Sequence, residues 1–367
     1  MNKKSLSSLE LAAIVKELQF LARSKISQVY YSDGLLLLQL HVSGEGKQLL
    51  KIIPGKLMCL TKIKDTADKP SGFCQQLRKY LAGGIISSIS QKDAERIVSI
   101  EVENILERSK SQQKLYLIIE LFSIGNIILT DKEQVIITAL ESREWKDRII
   151  KPREKYIPPP LSVNYLSLTK DQLKNLLRKS DRRNLVTFIA TEMGLGGLYA
   201  EEVCKLAGID KNKVPKEVPD SWVVPIHNAL QDIISKLKDT HGYVYPEDIT
   251  PFKLLGIEPA RVTDTYNEAI DELNPLAKAS PYEQKIKSLE RIAAEQEESI
   301  KKAEEAIIEN KRIGELIYEN YASLQKMLGI VKEMRKTMEW GEIGEELKRI
   351  KKLVRVDLKG KKVVLGL

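Results

Sequence analysis

Apolar residues recur with a period near 3.6 along residues 7–22, "SSLELAAIVKELQFLA", where Leu11, Ile14, Leu18 and Leu21 share one stripe. Ser7 followed three residues later by Glu10 is a capping box, so the pattern predicts a helix that starts there. The period then falls to two. "ISQVYY" (26–31), "LLLLQLHV" (35–42) and "QLLKII" (48–53) read as strands, with a turn at Ser32-Asp33-Gly34. "SGFCQQLRKYLAG" (71–83) predicts a short helix. "LYLIIELF" (115–122), "NIILTD" (126–131) and "QVIITAL" (134–140) predict three more strands. Short strands punctuated by turn signals imply an antiparallel β-sandwich with helices at its edges. The prolines of "KPREKYIPPP" (151–160) then act as a stiff connector.

The most regular alternation is "QKDAERIVSIEVE" (91–103), which predicts a strand. Arg96, Val98, Ile100 and Val102 fall on one face, and Ile97, Ser99, Glu101 and Glu103 on the other. The first row should face a core, yet it begins with a guanidinium. Either Arg96 snorkels to solvent beside Glu95, or it stands at the mouth of a cleft and addresses a phosphate or base edge, with Glu95 accepting from a nearby donor.

Residues 168–245 predict a smaller helical region. Within it "EMGLGGLYAEEVCKLAGI" (192–209) places Gly194 and Gly196 before an apolar helix, the pattern of a helix–hairpin–helix. Such a turn lets backbone N–H groups approach a phosphate, and Arg178, Lys179, Arg182, Arg183 and Lys205 nearby suit that use. An ordinary helical hairpin would need the same glycines. From Pro281 the chain changes to heptads. With Ile286 as position a, twelve of the sixteen a/d positions through Met338 are apolar, with Gly314 as a weak point. This predicts a coiled-coil helix over 281–338, after a connector (246–280) and before a small α/β tip (339–367). "VRVDLKGKKVVLGL" (354–367) reads as a hairpin turning at Lys359-Gly360. So long a seam needs a partner helix, expected from another copy (a homodimer), another protein, or sequence beyond Leu367.

Composition narrows the function. No apolar run approaches the ~20 residues of a membrane span, and the start of the chain lacks the pattern of a secretion signal, so a cytoplasmic protein with no membrane partner is expected. Three scattered cysteines and three scattered histidines suggest neither disulfides nor a metal, and no cofactor motif is present. No catalytic constellation is recognisable, so an enzyme is not expected. The net charge of +8 points weakly to nucleic acid. Candidate RNA-contacting residues are Arg78 and Lys79 at a helix end, Lys146 and Arg148 in "REWKDRIIKPREK" (143–155), and Gly194, Gly196, Arg182 and Arg183.

In order along the chain, "FCQQLRKYLAGG" (73–84), "QKDAERIV" (91–98), "IIELFSIGNIILTD" (118–131), "REKYIPPP" (153–160), "GLGGLYAEEVCKLAGI" (194–209), "DTYNEAIDEL" (264–273) and "MEWGEI" (338–343) resemble the NFACT family of ribosome-associated quality-control factors. The resemblance covers essentially the whole chain. It implies an α+β multidomain protein with an N-terminal domain (1–167) related to formamidopyrimidine-DNA glycosylases, a helix–hairpin–helix domain (168–245) and a coiled-coil arm with a small tip. It implies that a returning coiled-coil helix and a C-terminal RNA-binding domain follow in family members. It further implies binding to large ribosomal subunits (rRNA) obstructed by peptidyl-tRNA, and recruitment of tRNA, alanyl-tRNA in bacteria, for an untemplated C-terminal tail. The ribosome makes that peptide bond, so the factor positions tRNA. Within "QKDAERIV" the family carries an Asp-Arg pair for tRNA binding. Arg96 matches the arginine, and Glu95 stands at the aspartate position with one more methylene.

Two other classes compete. A DNA-repair glycosylase would use an N-terminal proline amine as nucleophile, and the chain reads Met1-Asn2-Lys3-Lys4. A fibronectin-binding surface adhesin would need a secretion signal.

Overall fold

The computed structural model describes residues 3, 5–64, 70–105, 112–145, 148–160, 163–273, 281–347, 353–357 and 362–365. The chain divides into two compact units, Met1–Ala277 and Lys278–Leu367.

The first unit is organised by a nine-stranded antiparallel sheet. Its strands are β1 (Lys25–Ser32), β2 (Leu35–Val42), β3 (Gly46–Ile53), β4 (Leu57–Leu60), β5 (Ile85–Gln91), β6 (Ile97–Ile105), β7 (Gln112–Glu120), β8 (Asn126–Thr130) and β9 (Ile136–Ala139). Their order is β4-β3-β2-β1-β5-β6-β7-β8-β9. The alternation that predicts the strands is the alternation that is buried: Leu36, Leu38 and Leu40 of β2, and Val98, Ile100 and Val102 of β6, enter one core. The sheet turns back on itself. The Gly55 amide, after β3, donates to the Glu120 carbonyl at the end of β7 (3.1 Å).

Helix α1 (Ser8–Glu17) is capped as the sequence predicts, with Ser7 and Glu10 bonding reciprocally. It is buried on more than one stripe: Ser8 and Glu10 lie inside along with Leu9, Leu11, Ala13 and Ile14. Helix α2 (Gly72–Leu81) closes the sheet against β1 and β9. A short hairpin, β10 (Arg143–Trp145) with β11 (Arg148–Ile150), lies beyond β9. A second, small core forms there from Ile97, Ile118, Ile128, Ile136, Ile150 and Tyr156. The proline-rich connector is pinned as it leaves: Tyr156 N–H donates to Gln134 O (2.8 Å).

The helical region contains α3 (Lys170–Lys179), α4 (Leu185–Thr187), which runs into a π-turn (Phe188–Glu192), α5 (Gly197–Ala207) and α6 (Asp220–Lys236). A three-stranded sheet, β12 (Gly242–Val244), β13 (Ile249–Thr250) and β14 (Arg261–Thr263), and helix α7 (Tyr266–Asp271) complete the unit. Leu6 near the start of the chain and Leu273 at the end of this region belong to one continuous core.

The second unit has a long helix α8 (Pro281–Glu319), then α9 (Tyr321–Met334), α10 (Trp340–Leu347) and a hairpin of β15 (Leu353–Asp357) with β16 (Lys362–Leu365). The expected turn at Lys359-Gly360 lies outside the described residues. Gly314, expected as the weak point, lies within α8; the interruption falls at Asn320, whose side chain donates to Leu316 O (2.9 Å). One glycine costs a helix only ~1 kcal/mol. Among the described residues no helix is long and apolar enough to cross a membrane.

Candidate nucleic-acid interface

The segment that carries Glu95 and Arg96 is a turn. β5 ends at Gln91 and β6 starts at Ile97, so "QKDAERIVSIEVE" is the end of one strand, a turn and a second strand rather than one continuous strand. Gln91 pairs with Val98, Lys92 N–H donates to Ile97 O (2.9 Å), and Glu95 N–H donates to Lys92 O (3.0 Å). Asp93 takes a positive φ of 48° to close the turn. Arg96 therefore does not open the core-facing row. It is half-buried in the turn, and its own carbonyl accepts from Leu121 N–H (2.8 Å). Burial draws the guanidinium below the usual arginine value, and the neighbouring Glu95 carboxylate opposes that shift.

Helix α1 holds this turn against the glycine loop. The Gln91 carboxamide donates to both Ser8 O (2.9 Å) and Glu95 O (2.8 Å). The Ser8 hydroxyl shares a hydrogen bond with the Tyr165 hydroxyl (2.8 Å) and also donates to Gly194 O (3.4 Å). One buried serine thus joins the β5–β6 turn, the short helical turn Tyr165–Ser167 and the Gly194 loop. Burial raises the Tyr165 phenol, and the Glu10 and Glu95 carboxylates add to this. Asn164 Nδ2 reaches Asp93 Oδ1 (3.3 Å) from the same side.

Gly194 and Gly196 have φ of 77° and 82°, conformations open to glycine. Gly196 is the N-cap of α5, and a Cβ at Gly196 or Gly197 would meet no atom within 4 Å. The first turn of α5 is therefore approachable. Arg182 Nε donates to Glu192 (2.9 Å), Arg183 is exposed, and Lys205 is exposed in the last turn of α5.

The other candidates lie apart from this cluster. Arg78 Nε donates to Val29 O (2.7 Å), and its guanidinium sits 5.5 Å from the Tyr30 ring centre, which Lys64 also faces at 4.5 Å. Lys79 is exposed and lies 5.0 Å from the Tyr80 ring centre. Lys146 lies outside the described residues. Arg148 requires correction as a candidate RNA contact. Its guanidinium is only 8% exposed, pairs with the Glu120 carboxylate, and stacks near Trp145 (5.1 Å) and Tyr156 (5.6 Å). A buried paired guanidinium cannot be withdrawn to meet a phosphate without stranding Glu120.

Ser8, Gln91 and Asn164 escape the sequence reading, because each partner is remote in the chain. Gln91 carried a faint signal, as a polar residue at a strand end inside the matched motif. Among the described residues no group of three or more His, Cys, Asp or Glu side chains is placed to hold a metal ion.

A family model, NFACT N-terminal and middle domains, matches residues 7–362. The chain is 29% identical to the archaeal Rqc2 homolog aRqcH of Methanocaldococcus jannaschii, over 96% of this chain and 54% of that protein. It is 23% identical to the ribosome quality control complex subunit NEMF of Homo sapiens, over 93% of this chain and 35% of that one. The chain thus spans about half or less of these relatives' length. The N-terminal part of the fibronectin/fibrinogen-binding protein of Streptococcus suis has a similar fold, with a TM-score of 0.60 and 22% identity over 73% of this chain and 98% of that one.

Proposed function

The chain belongs to the NFACT family, and from that premise we propose that it acts in ribosome-associated quality control, on large subunits obstructed by peptidyl-tRNA. The family match across residues 7–362 carries this reading, together with the human relative named as a ribosome quality control complex subunit. The described geometry supports an RNA-facing role for the β5–β6 turn. Arg96 presents a guanidinium with Glu95 beside it, and the turn is held to the first turn of α1 by the bonds of Gln91. In this reading Arg96 bonds tRNA and Glu95 orients it. The approachable N-terminus of α5 after Gly194-Leu195-Gly196 receives a backbone phosphate, as a helix–hairpin–helix does, with Arg183 adding charge. The factor positions tRNA, alanyl-tRNA where tails are alanine, and the ribosome forms the peptide bond.

The exposed apolar residues of α8 and α9, Ile300, Ile307, Ile317 and Leu328 among them, then form a coiled-coil seam that a partner helix fills, supplied by a second copy of the chain in a homodimer, by another protein, or by a returning helix like that of family members.

The direct test is to tag the chain in cells, arrest translation, and sequence the RNA recovered with it. Enrichment of tRNA together with large-subunit rRNA is expected. Recovery of neither over an untagged control would remove the reading.

A further inference from the structure

Helix α3 carries Gln172, Asn175, Leu176 and Lys179 at the i, i+3, i+4, i+7 spacing of a single helix face. Together with Val163, Asn164, Ser167 and Leu168, this face lines a groove of about 370 Å³, a size within the ~300–1,000 Å³ of small-molecule sites. Val163, Leu168 and Leu176 give the groove aliphatic walls, and among the described residues no acidic side chain lines it.

Its polar groups divide into two kinds. Asn164 is committed, since its Oδ1 accepts from Leu166 N–H (3.2 Å) and its Nδ2 reaches Asp93 (3.3 Å). The Asn175 and Lys179 side chains are exposed and, among the described residues, make no hydrogen bond or ion pair within the chain. A free carboxamide beside an ammonium, above an aliphatic surface, matches a flat ligand with a donor–acceptor edge and an attached anion. Nucleobases have that edge, which asparagine and glutamine complement with paired bonds, and the phosphate supplies the anion. The Asn164–Asp93 bond sets the groove beside the turn that carries Glu95 and Arg96.

We propose that the α3 groove holds one unpaired nucleobase, presented by an RNA strand that also engages the β5–β6 turn. The inference rests on the RNA-binding reading above. In it Asn175 reads the base edge, Lys179 takes the adjoining phosphate, and Leu168 and Leu176 cover the base face.

The test uses the whole chain with two probes, a single-stranded eight-nucleotide RNA containing 4-thiouridine and a deacylated tRNA. Crosslinked peptides are mapped by mass spectrometry. Adducts within residues 163–179 are expected, and Asn175→Ala should weaken binding of the eight-nucleotide RNA about fivefold, the size of one lost neutral hydrogen bond, with an unchanged melting temperature. RNA that binds but crosslinks only elsewhere overturns the groove and leaves the general reading intact. Failure of both RNAs to bind at low salt overturns the RNA reading and the groove with it. Displacement of the oligonucleotide by nucleoside monophosphates at equal nucleotide concentration overturns the strand as the source and assigns the groove to free nucleotide.

Discussion

Gly55 and Gly125 meet backbone to backbone, so closely that a Cβ on Gly125 would lie 1.9 Å from the Gly55 nitrogen and 2.2 Å from the Pro54 carbonyl carbon. The two turns come from strands far apart in the sheet order, β3–β4 and β7–β8, and their contact is where the sheet returns on itself. Gly125 also has a φ of 77°. Gly125→Ala should therefore add a steric clash to left-handed strain, at a cost of about 2–4 kcal/mol by denaturant titration. Gly44→Ala is the control. Its φ is 85° with nothing within 4 Å, so only the strain of about 1–2 kcal/mol should appear. Equal effects at the two sites would show that the turns are not in contact.

Arg96 and Arg148 should separate function from stability. Arg96→Ala removes a half-buried side chain and should lower tRNA affinity about tenfold or more, the worth of a charge-assisted hydrogen bond, with the melting temperature moved by no more than a few degrees. Arg148→Ala strands the buried Glu120 carboxylate and should cost about 3–5 kcal/mol of stability. Gel shifts and thermal melts on both variants decide. An unfolded Arg96→Ala that keeps tRNA affinity when refolded would make Arg96 structural.

RNA binding should weaken steeply with salt, since each neutralised phosphate releases counterions. Removing Arg183 should reduce the slope of log affinity against log salt by about one. A flat response in the parent chain would argue against phosphate contact.

The buried Lys3 ammonium donates to Glu10 (2.6 Å), Asp248 and the Ile249 carbonyl (2.9 Å). Burial alone would lower its pKa, but the two carboxylates more than offset this and hold it above the ordinary lysine value. A raised folded-state pKa contributes stability below the unfolded value of 10.5, lost as pH climbs through the folded one. Stability should thus fall above about pH 10.5, in part through Lys3. Lys3→Met should shrink that alkaline loss and lower stability at neutral pH by about 3–5 kcal/mol, through unpaired Glu10. An unchanged alkaline limb would assign it to the buried tyrosines Tyr199 and Tyr266, whose pKa values burial also raises.

The thiols should report on the fold. Burial pushes Cys59 up to about 12 and Cys204 up to about 11, so at pH 8 about one molecule in 10⁴ and one in 10³ is thiolate. Cys74 is buried as well. Iodoacetamide at pH 8 should leave the folded chain unmodified and label all three thiols in denaturant. Rapid labelling of one thiol under native conditions would place it outside the core.

Local periodicity was enough to establish the elements whose burial is one-sided. Alternation gives β1, β2 and β3, and the capping box starts α1, because each signal lies within a few residues of its cause. Alternation could not locate the turn inside "QKDAERIVSIEVE". Period two continues across it, and only the pairing of Gln91 with Val98 decides that Arg96 leaves the strand. The burial of Arg148 depends on Glu120, twenty-eight residues earlier, and the Gly125 constraint on a turn seventy residues away. Ser8 becomes a junction only when α1 is enclosed. Such contacts are set by closure of the sheet, and a side chain's chemistry depends on which desolvated partner the closed fold delivers to it.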